Sequence, residues 1–262
     1  MQIVDPFSSA VRPVLTGSRG AVAAAHPLAV SAAIEMLTDG GSAADAAIAA
    51  QAVLCVVEPD NCGLGGDQLC LIRTADGVVT AVNGTGAAPL HMAGADNDGG
   101  KSVTVPGIVD AWVTMNRRWG TLPLAALMQP AIRLAERGIL VGDRLAQTFR
   151  RHDTRLLRGG AGQWRLRTAE PGSVQKQPEL GALLSDVGER GTAAFYSGTM
   201  ARAICEAVRG TGGAMIVDDL AAHASVIVPP LSTRWRGQLL HVQPPISQGI
   251  LLSMVLAAEE AL

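Results

Sequence analysis

The sequence of 262 residues predicts an α/β (α+β) fold in which helices built from small residues cover β-hairpins. Two apolar runs, residues 68–73 and 78–83, flank an Asp76-Gly77 dipeptide, which accepts the positive φ that a tight hairpin turn requires. Hydrophobic residues make up 48% of the chain and aromatic residues only 3%, so the core must consist of Ala, Val, Leu and Ile. A chain of this length could form one large domain or two small ones.

The first predicted elements precede this hairpin. Residues 21–25 form a short apolar run that predicts a buried strand. After His26, apolar residues recur at helical spacing until a Gly-Gly pair ends the helix. Ser42 and Asp45 then form a capping-box pattern that opens a second helix, ending near residue 57. Because this helix carries Ala on nearly every face, we expect it to be buried on all sides, as a central helix lying on a sheet is.

Further helices and one further strand pair are predicted after the hairpin. The helical patterns cover residues 108–119, 122–128, 130–137, 143–158, 178–190, 192–209 and 248–262. Pro130 has no N–H to donate inside a helix, so it is predicted to open a new helix rather than to continue the preceding one. The strand pair is predicted at residues 224–228 and 238–243. The segments 91–101 and 159–174 are predicted to be loops.

A glycine-rich run, residues 62–66, lies between the second helix and the hairpin. It has the composition of a phosphate-binding loop, but such loops lead from a strand into a helix N-terminus. This run leaves a helix and enters a strand, which disfavours a nucleotide site. Glycines here let backbone approach backbone or ligand where a Cβ would collide.

Charge and cysteine usage exclude other classes of function. With 21 basic and 23 acidic residues the net charge is -2, which gives no general attraction to nucleic acid or to an acidic membrane. The four cysteines, Cys55, Cys62, Cys70 and Cys205, lack the spacing of zinc ligands, so no metal is predicted. Neither a signal peptide nor a membrane span is recognisable. We therefore expect a cytoplasmic protein, or a periplasmic or secreted one if the N-terminus has been trimmed.

Ordered motifs carry a family resemblance from about residue 17 to the last residue. They are His26-Pro27-Leu28-Ala29, residues 40–47 (Gly-Gly-Ser-Ala-Ala-Asp-Ala-Ala), residues 58–66, Ala88-Pro89, Val105-Pro106-Gly107, residues 120–123, residues 129–138, residues 177–180, residues 194–198, residues 218–221 and residues 244–249. Together these resemble the γ-glutamyltranspeptidase family of N-terminal-nucleophile (Ntn) hydrolases. The resemblance implies the αββα four-layer sandwich, no metal or organic cofactor, and a single region over residues 1–262 that corresponds to the large subunit.

The resemblance also implies a partner chain. Family members fold as one precursor and cut themselves before a threonine, which becomes the N-terminal residue of a smaller subunit. Its hydroxyl attacks an amide carbonyl while its freed α-amine acts as the base. No threonine follows Thr233 here. We therefore expect no catalytic residue in this chain, and a small subunit carrying an N-terminal threonine as its partner in a heterodimer or heterotetramer.

Asn83, Thr85 and Gly86 are the predicted substrate-binding residues. In family members an Arg-Glu-Thr-Ala-Pro segment supplies an arginine whose planar fork pairs with the α-carboxylate of the γ-glutamyl group. Aligned on Ala88-Pro89, Thr85 stands at the arginine position and Gly86 at the glutamate position. Residues 83–89 look more like the divergent branch that includes oxamate amidohydrolases. A small-molecule amide with a differently placed carboxylate, or with a bulkier acyl group, is therefore predicted instead of glutathione. Alternatively, Thr85 and Gly86 only shape the turn.

Other residues have mainly structural interpretations. His26 is predicted to be structural, and Cys62 is either a reactive thiol or, in the favoured interpretation, a packing residue. Asp67 and Glu58 are predicted to hold the glycine loop by hydrogen bonds to backbone amides. The arginines of residues 143–158 form either a solvated face or a basic patch for a ligand. The alternative to an enzyme is a truncated, non-catalytic relative that acts as a binding or assembly module.

Overall fold

A computed structural model describes residues 16–18 and 20–260 of the chain. The helices are α1 (Pro27–Thr38), α2 (Ala43–Val57), α3 (Ile108–Trp119), α4 (Leu124–Arg137), α5 (Asp143–Arg158), α6 (Pro178–Arg190), α7 (Ala193–Tyr196), α8 (Gly198–Gly210), α9 (Val217–Ala221) and α10 (Gly249–Glu260). The strands are β1 (Gln68–Arg73), β2 (Val79–Gly84), β3 (Ile139–Leu140), β4 (Val174–Gln175), β5 (Val226–Val228), β6 (Leu231–Trp235) and β7 (Gln238–Val242). The mixed α/β prediction is confirmed.

Helix α2 is central to the core, but the predicted burial on all sides is incomplete, because Ala43 and Ala47 are exposed. Most of its side chains are buried, including Ile48 and Val53. It packs against α1, α3 and α4, and α4 packs in turn against α6. The predicted capping box is present, because Asp45 N–H donates to Ser42 Oγ (3.1 Å) and Ser42 N–H donates to Asp45 Oδ2 (2.9 Å).

The Asp45 carboxylate also fixes α2 to the turn between α3 and α4. It is fully buried and accepts hydrogen bonds from Thr121 N–H (2.8 Å), the Thr121 hydroxyl (3.0 Å), Leu122 N–H (3.2 Å) and Asn116 Nδ2 (3.1 Å). Burial would raise the pKa of Asp45, but the hydrogen bonds from Thr121, Ser42 and Leu122 outweigh it and lower the pKa. One ionised side chain thus joins three helices.

The predicted hairpin forms the main sheet, in the strand order β1-β2-β5. Strand β2 pairs antiparallel with both neighbours, and Gly77 in the turn has φ of +87°. Leu69, Asn83 and Val226 stand opposite one another in register, so they share one face of this sheet. We call it the outer face, because Val82, which points to the other side, packs in the core.

Two predictions of strands were wrong. The strand β5 pairs with β2, and β7 pairs with β6, which the sequence analysis missed, so residues 224–228 and 238–243 do not pair with each other. A two-residue turn explains the second hairpin, because Arg236 (φ 47°) and Gly237 (φ 73°) both have positive φ. Residues 21–25 form no strand and are mostly exposed, since they have no neighbouring strand within the described residues.

Three predictions of helices or loops also need correction. A single helix, α4, runs through Pro130, because the burial of Leu127 and Ala131 between its neighbours outweighs the lost hydrogen bond, which costs about 3 kcal/mol. The predicted helix 192–209 is broken by Ser197, with extended backbone, and Gly198, with φ of 65°. The segment 159–174 contains short 3₁₀ turns and begins strand β4 at its end.

Helix α10 has an apolar surface that nothing in the described chain covers. Ile250, Leu251, Leu252, Met254 and Val255 are all exposed, and Ser253 is its buried residue. Its C-terminal end is held by the β6-β7 turn, where Arg236 N–H donates to Glu260 Oε2 (2.8 Å). No helix among the described residues has both the length and the apolar content to cross a bilayer.

The substitution Asp45→Asn should lower the free energy of unfolding by about 3 kcal/mol, because an amide cannot accept all of the donors around Oδ1 and Oδ2. Urea unfolding measures the change, with Asp39→Asn, at an exposed position, as the control. The folded-state pKa of Asp45 lies below its unfolded value of about 4, so its stabilisation is present above that pH and is lost as pH falls through the folded pKa. A difference below 1 kcal/mol at neutral pH would contradict this role, since about 1 kcal/mol is the contribution of one hydrogen bond.

Candidate functional site

The candidate site lies where β2 ends, next to the glycine loop and the start of α3. Gly107 N–H and Ile108 N–H both donate to Gly66 O (2.9 and 3.0 Å), so the glycine loop accepts the first donors of α3. A Cβ on Gly107 would lie 1.8 Å from Gly84 O, and a Cβ on Gly86 would lie 1.5 Å from Val105 O. The three segments therefore touch through backbone atoms, and only glycine fits at positions 86 and 107.

Asn83 and Thr85 form a closed hydrogen-bonded pair beside this backbone cluster. Asn83 Oδ1 accepts from Thr85 N–H (3.0 Å) and from the Thr85 hydroxyl (2.7 Å). Both residues are half-buried, and Asn83 lies on the outer face of the sheet. The Thr85 hydroxyl oxygen keeps a lone pair for another donor.

Asp67 positions the backbone of Gly86. Its Oδ1 accepts from Gly86 N–H (3.1 Å), across nineteen positions of sequence. The carboxylate is exposed, and within the described part of the chain no cationic side chain lies within 4.0 Å of it. The site therefore presents a carboxylate and a hydroxyl at the place where the resemblance implies an arginine.

Tyr196 supports the start of α3 by hydrogen bonds to its backbone. Its hydroxyl donates to Pro106 O (2.8 Å) and accepts from Asp110 N–H (3.1 Å), and its ring stacks on His223 at 5.4 Å. Burial raises the pKa of Tyr196, and the charge of Asp110 raises it further. The hydroxyl therefore stays protonated and acts as a fixed structural donor.

The structure brings Asn83, Thr85 and Gly86 together as the sequence predicts, although their role in binding substrate stays a prediction. Asp67 does hold a backbone amide, but that of Gly86 and not one of the glycine loop. The prediction for Glu58 was wrong, because its carboxylate instead contacts the side chains of Asn61 and Arg144 (both 3.4 Å).

Two other predictions concerned His26 and the arginines of α5. His26 is structural, since its Nδ1 accepts from Leu28 N–H (3.1 Å) and caps α1. Three exposed arginines of the five in α5 form ion pairs with carboxylates. The pairs are Arg144 with Asp60, Arg150 with Glu170, and Arg155 with Asp98.

Sequence reasoning missed Tyr196, Asp110 and Gln243 as supports of the site. Asp110 Oδ2 accepts from Ser225 N–H (2.6 Å), and Gln243 Nε2 donates to Cys70 O (3.0 Å) and Val82 O (2.6 Å). Asp110 thus fixes the segment before β5 to α3. Gln243 fixes the segment after β7 to the main sheet. Their partners are 115 to 173 positions away, so no local pattern could have indicated them.

Comparison with known proteins identifies the fold and the family. The model of the family described as gamma-glutamyltranspeptidase matches residues 29–262. The Acylase ACY 1 proenzyme of Pseudomonas sp. (strain V22) is 32% identical over 277 residues, covering 97% of this chain and 50% of that protein. The Glutathione hydrolase proenzyme of Escherichia coli (strain K12) is 31% identical, covering 88% of this chain and 43% of that protein.

Among solved structures, the gamma-glutamyltranspeptidase of Helicobacter pylori superposes with a TM-score of 0.85 at 28% identity, covering 90% of this chain and 73% of that chain. This match confirms the Ntn-hydrolase fold class. The chain belongs to the gamma-glutamyltranspeptidase family. It spans about half the length of the curated relatives it matches.

Gly86→Ala should destabilise the fold by about 3 kcal/mol, because the added Cβ would overlap Val105 O and force the end of β2 away from α3. Thermal and urea unfolding measure the effect. Gly65→Ala is the matched control, since a Cβ there meets no atom within 4 Å. Equal stability of the two variants would show that the close approach at Gly86 is not required.

Proposed function

We propose that this chain, as a single domain over residues 1–262, is the large-subunit region of an N-terminal-threonine hydrolase that cleaves or transfers the acyl group of a small amide. The nucleophile belongs to a C-terminal small subunit. Membership of the gamma-glutamyltranspeptidase family across residues 29–262 is the observation that carries this proposal.

Uncovered apolar surface supports a second chain. Leu69 and Val226 on the outer face of the sheet are 41% and 52% exposed, and Met254 and Val255 of α10 are 61% and 65% exposed. Clusters of exposed apolar side chains, such as those of α10, are typical of an interface rather than of a free surface. The small subunit is the proposed occupant, because the relatives are named as proenzymes and are about twice as long as this chain.

In this enzyme the threonine hydroxyl attacks the substrate carbonyl, and the threonine α-amine, whose pKa is near neutrality, takes the proton. The acyl-enzyme is then released to water or to an acceptor amine. This chain supplies the rigid wall of the site, because the backbone cluster at Gly66, Gly86 and Gly107 fixes where Asn83 and Thr85 lie. Their polar groups orient the acyl part of the substrate and break no bond.

The acyl specificity follows from the charge of the site. Thr85 and Asp67 offer no cationic fork to a carboxylate, which argues against a γ-glutamyl group. A small amide with its carboxylate elsewhere, as in the oxamate amidohydrolase branch, or a bulkier acyl amide suits this site better. The similarity to a protein named as an acylase supports the second of these two substrate classes.

Expression of the complete reading frame should yield two chains, the smaller one beginning with threonine, since self-cleavage creates the nucleophile's free amine. Intact mass and N-terminal sequencing detect the cleavage. Replacement of that threonine by alanine should leave an uncut precursor. A lone stable chain of 27.0 kDa without amidase activity would instead support a binding or assembly module.

Glutathione should be a poor substrate of the assembled enzyme, with kcat/KM about 100-fold below that of the best acyl amide, because two charge-assisted hydrogen bonds to the α-carboxylate are missing. Steady-state kinetics on a panel of acyl amides measures the ratio. Thr85→Arg should narrow the gap, whereas Thr85→Gln, which lengthens the side chain without charge, should not. Efficient turnover of glutathione by the unmodified enzyme would refute the specificity argument.

A further inference from the structure

Two cysteines meet at the end of α2, outside the candidate substrate site. Cys55 lies in the last turns of α2 and is 2% exposed, whereas Cys62 lies in the glycine-rich run and is half-buried. Their Sγ atoms are 3.5 Å apart. Neither Cys70 nor Cys205 makes a sulfur–sulfur contact of this kind within the described residues.

The pair faces a cavity large enough to admit a small reagent. Cys55 and Cys62 both line a cavity of about 740 Å³, whose wall includes Leu64, Trp164 and Phe195. The half-buried sulfur of Cys62 is therefore the one that a reagent reaches first. Cys55 is only 2% exposed, so it is expected to react with a group already on Cys62.

The surroundings give the two sulfurs different roles. The hydrogen bond between the Cys55 and Cys62 sulfurs lowers the pKa of Cys62, and the Gly63 N–H adds to the effect. The same hydrogen bond, together with burial, raises the pKa of Cys55. Because the thiolate is the nucleophile, Cys62 is the attacking sulfur and Cys55 the resolving one.

We propose that Cys55 and Cys62 form a redox-active dithiol that a hydroperoxide converts into an intramolecular disulfide. The Cys62 thiolate attacks the peroxide, the O–O bond breaks, and Cys62 becomes a sulfenic acid while the leaving oxygen is protonated. The Cys55 sulfur then attacks the Cys62 sulfur, the S–O bond breaks, and water leaves with the Cys55 proton. Two thiols are oxidised, and one hydrogen peroxide is reduced to two water molecules.

The local geometry permits this step. A disulfide bond requires the sulfurs to approach by about 1.5 Å from their present separation. The loop that follows Cys62 has room to move, since a Cβ added at Gly63 or Gly65 meets no atom within 4 Å.

The test uses the reduced protein, together with any chain that copurifies, treated with hydrogen peroxide after the reductant is removed. Alkylation under denaturing conditions should show a fall from four free thiols to two, and the intact mass should fall by about 2 Da. Glutamyl endopeptidase, under conditions that extend cleavage to aspartate, cleaves after Asp60 and after Asp67, which separates Cys62 from Cys55 and Cys70. Mass spectrometry should then find the Cys55 and Cys62 peptides joined, and dithiothreitol should release them.

Variants assign the roles within the pair. Cys55→Ser should leave Cys62 as a sulfenic acid that a cyclic 1,3-dione traps, and Cys62→Ser should keep its three remaining thiols. Cys70→Ser is the matched control and should still form the disulfide. The proposal is overturned if the folded wild-type protein, checked by circular dichroism, keeps four thiols, links Cys62 to another cysteine, or loses thiols without the joined peptides.

Discussion

The end of strand β2 contacts the start of helix α3 through backbone atoms alone, and the position of the candidate site depends on this contact. Gly66 O accepts from the N–H groups of Gly107 and Ile108, and no side chain fits at Gly86 or Gly107. Backbone contacts of this kind leave little freedom, because glycine has no rotamer that could relieve a displacement. The hydroxyl of Thr85 and the carboxylate of Asp67 are consequently held on a rigid support.

The two faces of the main sheet differ, because one is covered by the core and the other carries exposed apolar side chains. Toward α2 and α3 the sheet packs in a core of small apolar residues, with Asp45 and Tyr196 fixing the helices around it. On the other side of the sheet, Leu69 and Val226 of the outer face are uncovered, and the apolar side chains of α10 are exposed elsewhere on the chain. A site on the outer face would lie between this chain and the proposed small subunit, which would supply the nucleophile.

Local sequence patterns predicted much of this fold, and the failures have physical causes. The capping box at Ser42 and the Asp76-Gly77 turn depend on neighbouring residues, so they were predictable. Strand pairing depends on distant partners, which is why β5 was assigned to the wrong neighbour. The continuity of α4 through Pro130 depends on burial that local propensity does not report.

For the candidate site, the family motifs indicated Asn83, Thr85 and Gly86 as candidates, and the glycine run indicated a close backbone approach. Asp67 was recognised only as a support, and its actual partner, Gly86, could not be deduced from spacing.

The central claim is that the active site is split between this chain and a second chain. A photocrosslinking residue at position 226, on the outer face, tests this claim most directly in the protein expressed from its complete reading frame. Position 140, on the separate β3-β4 sheet, is the control. Position 226 should crosslink to a chain beginning with threonine, and position 140 should not; absence of that product at position 226 would contradict a split site.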